Sequence, residues 1–356
     1  MSTDRDISQK PKALNEQFGK RLKMARVARG LSMEALCCLM DGRVTKQAIS
    51  KYENGLMHPD SNVLDALCGA LGISISSLED ASPAEVGALS PLDGKARLGE
   101  RLSERAGILL SHYLEILSIL GMEAVFSNPI ADMKVDGDAA VRRSVELLRE
   151  KWSIPEVRIE PQTLLESHGI YVIEDSFPFD ACAVTSSGCH RAVLTDVSLT
   201  LEERRMASLR EAARFLLCFD EALPPRRTEA LRSLFSRELL ISSGTMVRLV
   251  GYAREELSLS ELRDVQAGYG LSVDALMDRA RDESIISSQK YSLYRRRKRS
   301  DASFRDAVGK SLALNPPPPR IRVLVHKALG MGLIGPEKAT ELLGGWTADA
   351  EEFELI

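Results

Sequence analysis

Apolar residues recur every three or four positions along most of the chain and alternate in only one central stretch, so the pattern predicts a mainly helical protein with a small sheet. In "EQFGKRLKMARVARG", Phe18, Leu22, Met24/Ala25 and Val27/Ala28 keep helical spacing until Gly30 stops it. Ser32 is placed to cap "SMEALCCLM", and Asp41-Gly42 reads as a turn. Thr45 then caps "KQAISKYEN", which Gly55 closes. Pro59 marks a loop before the helix "SNVLDALCGALG", and "SISSLED" makes a short fifth helix. Residues 1–13 are expected to be disordered, 14–80 to form a five-helix domain, and 81–93, "ASPAEVGALSPLD", to be a linker.

One longer amphipathic helix is expected over 94–121, with Leu98, Leu102, Ile108/Leu109, Tyr113, Ile116 and Leu120 on a broad face. From Asp138 the pattern is mixed. "AAVRRSVELLREKWSI" is helical, "QTLLESHG" is a short helix ended by Gly169, and "IYVIED" alternates like a strand. "ACAVTSSGCHRAVLTD" reads as a hairpin turning at Ser-Ser-Gly. Helices follow in "SLTLEERRMASLREAARFLLCF" and "TEALRSLFSRELLI". Residues 258–299 read as a helix-turn-helix-like subdomain whose helices start at Leu259-Ser260 and Leu271-Ser272. After the Pro316–Pro319 run, "RVLVHKALGMG" and "GPEKATELLGG" form a helix pair within 316–356.

A chain of 356 residues can hold two or three cores, and 44% apolar with 28% charged residues is ordinary globular composition. The net charge of -4 and pI near 5.9 exclude a globally basic protein. They do not exclude a local basic face, which Lys20, Arg21, Lys23, Arg26, Arg29 and Arg43 would supply. No apolar run approaches the ~20 residues of a bilayer span, and the polar start "MSTDRDISQKPK" lacks a signal-peptide core, so a cytoplasmic protein with no membrane partner is expected. The six cysteines include no C-x-x-C pair and read as reduced thiols. Cys182, Cys189 and His190 do not fit the spacing of a structural zinc site. The five histidines are scattered and receive no catalytic role, and no P-loop or G-x-G-x-x-G is present. "YRRRKR", Tyr294 to Arg299, is a solvated helix end or a second backbone contact to DNA.

Five short helices with a tight turn between the second and third suit a helix-turn-helix domain. Residues 18–78 resemble the XRE family of helix-turn-helix regulators in "FGKRLKMARVARGLSMEAL", in "VTKQAISKYENG", and in Pro59 followed by "NVLDALCGALGIS". The resemblance implies a lambda-repressor-like domain in which "TKQAISK" is the recognition helix. Lys46, Gln47, Ser50 and Lys51 would face double-stranded DNA, Thr45 would cap the helix near a phosphate, Arg43 would add charge, and Ile49 and Tyr52 would point inward. Many members carry Gln where this chain has Met33, which removes one polar contact to DNA. A palindromic operator read by a homodimer follows as an expectation, with helix 94–121 as the dimer element.

Residues from about 138 to 297 resemble the ImmA/IrrE metallopeptidase-like family in "LREKWSIPEVRIEPQTLLESHGIYVIED", the hairpin, "EERRMASLREAARFLL" and "TEALRSLFSRELLIS". The resemblance implies an α+β zincin-like domain with a small sheet over 138–257, followed by a helical C-terminal region. In the H-E-x-x-H motif two histidines four apart bind Zn²⁺ and the Glu polarises its water. Here Arg210 and Arg214 fall on the histidines, Glu211 on the catalytic Glu, Ala213 on the Gly of the motif, Glu229 on the third ligand, and Ser242 on the proline of L-L-x-P. A guanidinium stays protonated and cannot ligate zinc. An inactive, metal-free and cofactor-free domain is therefore expected, with Glu211, Glu229 and the two arginines as an ion-pair cluster where zinc would sit. The function expected is a dimeric transcriptional repressor whose peptidase-like domain answers a peptide, small-molecule or protein effector. Two alternatives stay open: an antitoxin or immunity-type protein that neutralises a protein partner, and a metallopeptidase with an atypical site.

Overall fold

The computed structural model describes residues 12–29, 31–71, 75, 78, 86, 89–92, 98–186, 190–312 and 317–344. The N-terminal helices are α1 (Lys12–Ala28), α2 (Met33–Leu39), α3 (Lys46–Glu53) and α4 (Ser61–Leu71). α1 therefore starts inside the stretch 1–13 expected to be disordered; residues 1–11 lie outside the described residues. Local side-chain chemistry sets the other starts. Ser32 Oγ accepts from the Ala35 N–H at 3.0 Å and Thr45 Oγ1 from the Ala48 N–H at 3.2 Å, as expected, while Asp60 Oδ1 does the same for Val63 at 2.9 Å. Asp41 and Gly42 turn the chain with φ of 52° and 71°. Phe18, Leu22, Leu36, Ile49, Leu67 and Leu71 build the core, joined by Leu78. Ile75 and Leu78 are helical, and the rest of the expected fifth helix lies outside the described residues. α1 crosses the end of α3 so closely that a Cβ on Gly19 would stand 2.5 Å from the Tyr52 carbonyl oxygen.

The remaining elements run β1 (Leu89–Pro91), α5 (Glu100–Ile119), β2 (Lys134–Val135), α6 (Asp138–Lys151), α7 (Pro161–Glu166), β3 (Ile170–Asp175), β4 (Ala181–Ser186), β5 (Arg191–Asp196) and α8 (Leu201–Leu216). They continue with β6 (Cys218–Phe219), α9 (Pro225–Leu240), α10 (Ser243–Val250), α11 (Leu259–Tyr269), α12 (Val273–Asp282), α13 (Ser288–Ser300), α14 (Ala302–Gly309), α15 (Arg320–Gly330) and α16 (Pro336–Leu343). The larger sheet has the order β1-β4-β5-β3, with β3 parallel to β5 and the other pairs antiparallel. β4 and β5 are the expected hairpin, whose turn at 187–189 lies outside the described residues. The parallel pair β2 and β6 makes a second, two-stranded sheet.

Successive strand residues face opposite ways, and both faces of the larger sheet are covered. Val172 and Val193 pack with Val141 and Leu148 of α6, Leu209 of α8 and Phe235 of α9. Tyr171, Ile173, Val184 and Leu194 pack with α5, α15 and α16. Three expectations change here. First, Leu89–Pro91, inside the expected linker 81–93, is an edge strand whose Leu89 pairs with Ser186; three residues are too few to show alternation in a sequence. Second, the helix expected over 94–121 as a dimer element is a core helix of its own chain. Every residue from Tyr113 to Gly121 is buried, because α15 and α16 cover the face the sheet leaves open. Third, the C-terminal helix pair does not stand apart; it completes this layer. Residues 345–356 lie outside the described residues.

α11 to α14 join the other core through Leu262, Leu276, Ala280 and Val308. α11 starts at Leu259, inside the expected entry Leu259-Ser260, with Ser258 as its cap, and Ser272 of the expected entry Leu271-Ser272 caps α12. The fully buried Arg279 locks α12 to α9 through Glu238 at 2.6 Å and to the Ile241 carbonyl at 3.1 Å. No described helix is long and apolar enough to cross a membrane.

Candidate nucleic-acid interface

α3 stands on the domain core with one face inward and one in solvent. Ile49 and Tyr52 are buried; Arg43, Thr45, Lys46, Gln47 and Lys51 are exposed, and Ser50 is half-buried. The inward and outward sets therefore match the expectation. Lys46 is not free, however. Its Nζ pairs with Glu34 on α2, and this bond holds the Glu34 carboxyl below the usual carboxylate range. Both side chains are 60% exposed, so water screens the pair and Lys46 can exchange it for a phosphate. At the far end of α3 the Asn54 amide donates to the Ser50 carbonyl at 2.7 Å, closing the helix at "ENG".

Arg26 corrects the expected basic face. It is buried, and its Nε and Nη2 meet Glu53 Oε1 and Oε2 at 2.6 and 2.9 Å, while Nη1 donates to the Leu31 carbonyl at 2.7 Å. Its guanidinium pKa is raised, chiefly by the bond to Glu53. Arg26 thus clamps α1 to the end of α3 and contributes no charge to solvent. Arg21 is half-buried and reaches the Leu78 carbonyl at 3.4 Å. Lys20, Lys23 and Arg29 are exposed. Met33 packs partly buried against the domain core, so its side chain is used for packing.

The second expected site is also assembled. Glu211 Oε2 accepts from Arg214 Nε at 2.8 Å. Arg210 Nε lies 3.6 Å from Glu211 Oε1 and 3.5 Å from Glu229 Oε1. α8 and α9 pack side by side and bring in Arg232, which sequence reasoning missed. Arg232 Nη1 is 3.7 Å from Glu211 and Nη2 pairs with Glu229. The available signal was the i, i+3 spacing of Glu229 and Arg232. Glu211 is buried under three guanidiniums, whereas Glu229 is half-exposed. Burial, the largest influence, lowers the Arg232 pKa, and the neighbouring Arg214 charge acts the same way. Ala213 is buried, and Ser242 caps α10 and donates to Glu156 at 3.0 Å. Among the described residues no group of three or more His, Cys, Asp or Glu is placed to hold a metal ion. Cys182 is buried in the sheet and His190 is half-buried; Cys189 lies outside the described residues.

The basic run on α13 is partly neutralised. Lys298 pairs with Asp274 of α12, where Tyr294 also donates at 2.8 Å, and Arg297 stacks 4.2 Å over Phe304. Arg296 and Arg299 are exposed.

Residues 22–78 match the family model described as Helix-turn-helix, so this region is a helix-turn-helix domain. The SPbeta prophage-derived uncharacterized HTH-type transcriptional regulator YonR of Bacillus subtilis (strain 168) is 36% identical over 61 residues, 17% of this chain and 55% of that protein. The match thus spans about half the length of that relative. Among solved structures, the apo form of ComR from S. thermophilus aligns over 93% of this chain and 92% of that one, at 12% identity and a TM-score of 0.17.

Proposed function

We propose that this chain is a sequence-specific DNA-binding transcription regulator, acting as a dimeric repressor, whose larger region is a peptidase-like scaffold without peptidase chemistry. One observation carries the reading: a helix-turn-helix domain presents Gln47 and Lys51 outward on α3 beside the exposed Arg43. A Gln amide matches the donor and acceptor pattern of adenine in the major groove, and the cations match phosphates. One short helix reads few base pairs, so a palindrome with half-sites about 34 Å apart would be read by two copies. The C-terminal half of α5 is covered by its own chain, so only its exposed N-terminal half, with Arg101, Glu104, Arg105 and Ile108, could still serve the dimer.

The scaffold reading is supported by the ion pairs on Glu211. Arg214 occupies one carboxylate oxygen, and the guanidiniums at the two histidine positions cannot ligate a metal. Zinc measured in the purified chain is expected far below one equivalent; stoichiometric zinc would overturn the inactive-scaffold reading.

The DNA reading is tested by genome-wide capture with the tagged full chain, followed by titration of the enriched sequence. A few palindromic promoters are expected. Gln47→Ala is expected to cost ~1–3 kcal/mol on that sequence and relax one base position, whereas Lys51→Ala weakens all sites and lowers the salt slope by about one. Capture without sequence preference would sink the regulator reading. Capture only at the chain's own promoter, with a tight complex to a neighbouring gene product, would favour the antitoxin reading instead.

A further inference from the structure

A cavity of about 510 Å³ lies between α7, the edge strand β3, the N-terminal half of α8 and the start of α15, and no role given so far uses it. That volume suits a small ligand. Its walls carry four guanidiniums, Arg158, Arg204, Arg205 and Arg320, against Glu160 and Glu174 in the lining and Glu166 behind Arg320, an excess of one positive charge. Arg205 serves the fold: it donates to the Gly270 carbonyl at 3.1 Å and pairs with Glu160 at 2.6 Å. Arg204 differs. It is 8% exposed, its Nη1 meets Glu174 at 3.0 Å, and its buried Nε has no hydrogen-bond partner. A buried donor without an acceptor is costly, so this guanidinium, which lines the cavity, gains from a small shift onto an oxygen atom brought in there. Arg320 is held by Glu166 at 2.9 Å, and Glu166 in turn accepts from Tyr113 of α5 at 2.5 Å, so this wall is rigidly anchored. Val172, Leu201 and Val323 make the rest of the lining partly apolar.

An extended peptide added to the sheet edge fits poorly, because the Gln162 amide already donates to the Val172 carbonyl at 3.0 Å. We propose that the cavity binds a small organic anion, a carboxylate or phosphate monoester with a short apolar tail, its oxygens on Arg204 and Arg320. The excess charge selects the anion, the Arg204 and Arg320 guanidiniums supply donors, and the apolar wall takes the tail.

Calorimetric titration of the full chain with hexanoate and hexyl phosphate tests this, with hexanol and hexylamine as controls. At least one anion is expected to bind ten times more tightly than either control, and the stronger of the two names the head group. Val323→Trp, which fills the cavity from its half-exposed rim and leaves every charge in place, is expected to raise the Kd at least tenfold; so is Arg204→Gln. No binding by either anion, equal binding of hexylamine, or unchanged anion affinity in folded Val323→Trp would overturn the proposal. No DNA is present in these titrations, so their outcome is separate from that of the DNA capture.

Discussion

At Gly19 a single hydrogen atom sets how closely two helices approach. Adding a methyl group would drive it into the backbone of Tyr52 and Glu53, at 2.5 and 2.6 Å from their carbonyl oxygens, and backbone at a helix crossing yields little. Gly19→Ala is therefore expected to destabilise the N-terminal domain by ~1–3 kcal/mol or more, measured as a lower urea midpoint; an unchanged midpoint would mean that α1 sits further from α3. Glu34 offers a second test. Glu34→Gln releases Lys46 from its exposed pair, so DNA affinity should rise a fewfold at low salt and the gain should shrink as salt is added. The caps at Ser32 and Thr45 were legible because donor and acceptor lie three residues apart. The clamp from Arg26 to Glu53 was not, since its partners are 27 residues apart and nothing local separates a buried arginine from an exposed one.

The elements repeat that division between local and distant causes. The hairpin of β4 and β5 and the capped helices announce themselves by period and turn chemistry. α5 is the expected helix, but its C-terminal half packs inside its own chain. Its expected face omitted Leu114, Leu117 and Ile119, although a helix that is apolar all round is normally buried. β1 was hidden by its brevity, and the alliance of α8 with α9 was legible only through family resemblance. The junction of α6 and α7 carries a pH test. Trp152, just after α6, stacks on His168, just after α7, with ring centroids 3.9 Å apart. Burial lowers the His168 pKa below 6.5. The unfolded chain then takes up the proton first, so this contribution to stability is full above pH 6.5 and is lost as pH falls toward the folded pKa. His168→Gln should narrow the difference in melting temperature between pH 5.5 and 7.5, conditions on either side of the ordinary imidazole value of ~6.5; an unaltered difference would remove the histidine from the account.

At the scale of the whole molecule, the proposed descent from a metal enzyme can be tested by reversal. Arg210→His and Arg214→His, combined with Arg232→Leu to remove the third guanidinium, would leave two imidazoles and Glu229 at the old positions. One equivalent of zinc retained after dialysis is expected in this variant and none in the parent. A folded variant that takes up no zinc would undo the peptidase-like descent. The short strand β1 has a different consequence. Leu78 is buried in the core of the helix-turn-helix domain, and Val86, eight residues further along and just before β1, is already buried in a core of the larger region. A chain extends at most ~3.6 Å per residue, so the tether between them can reach about 29 Å and no more. That is shorter than one turn of DNA, about 34 Å. The head cannot visit DNA while its body stays behind. Under the proposed function, any molecule that grips the body would travel to the promoter as cargo, and two heads seated side by side would bring two such cargoes within reach of each other.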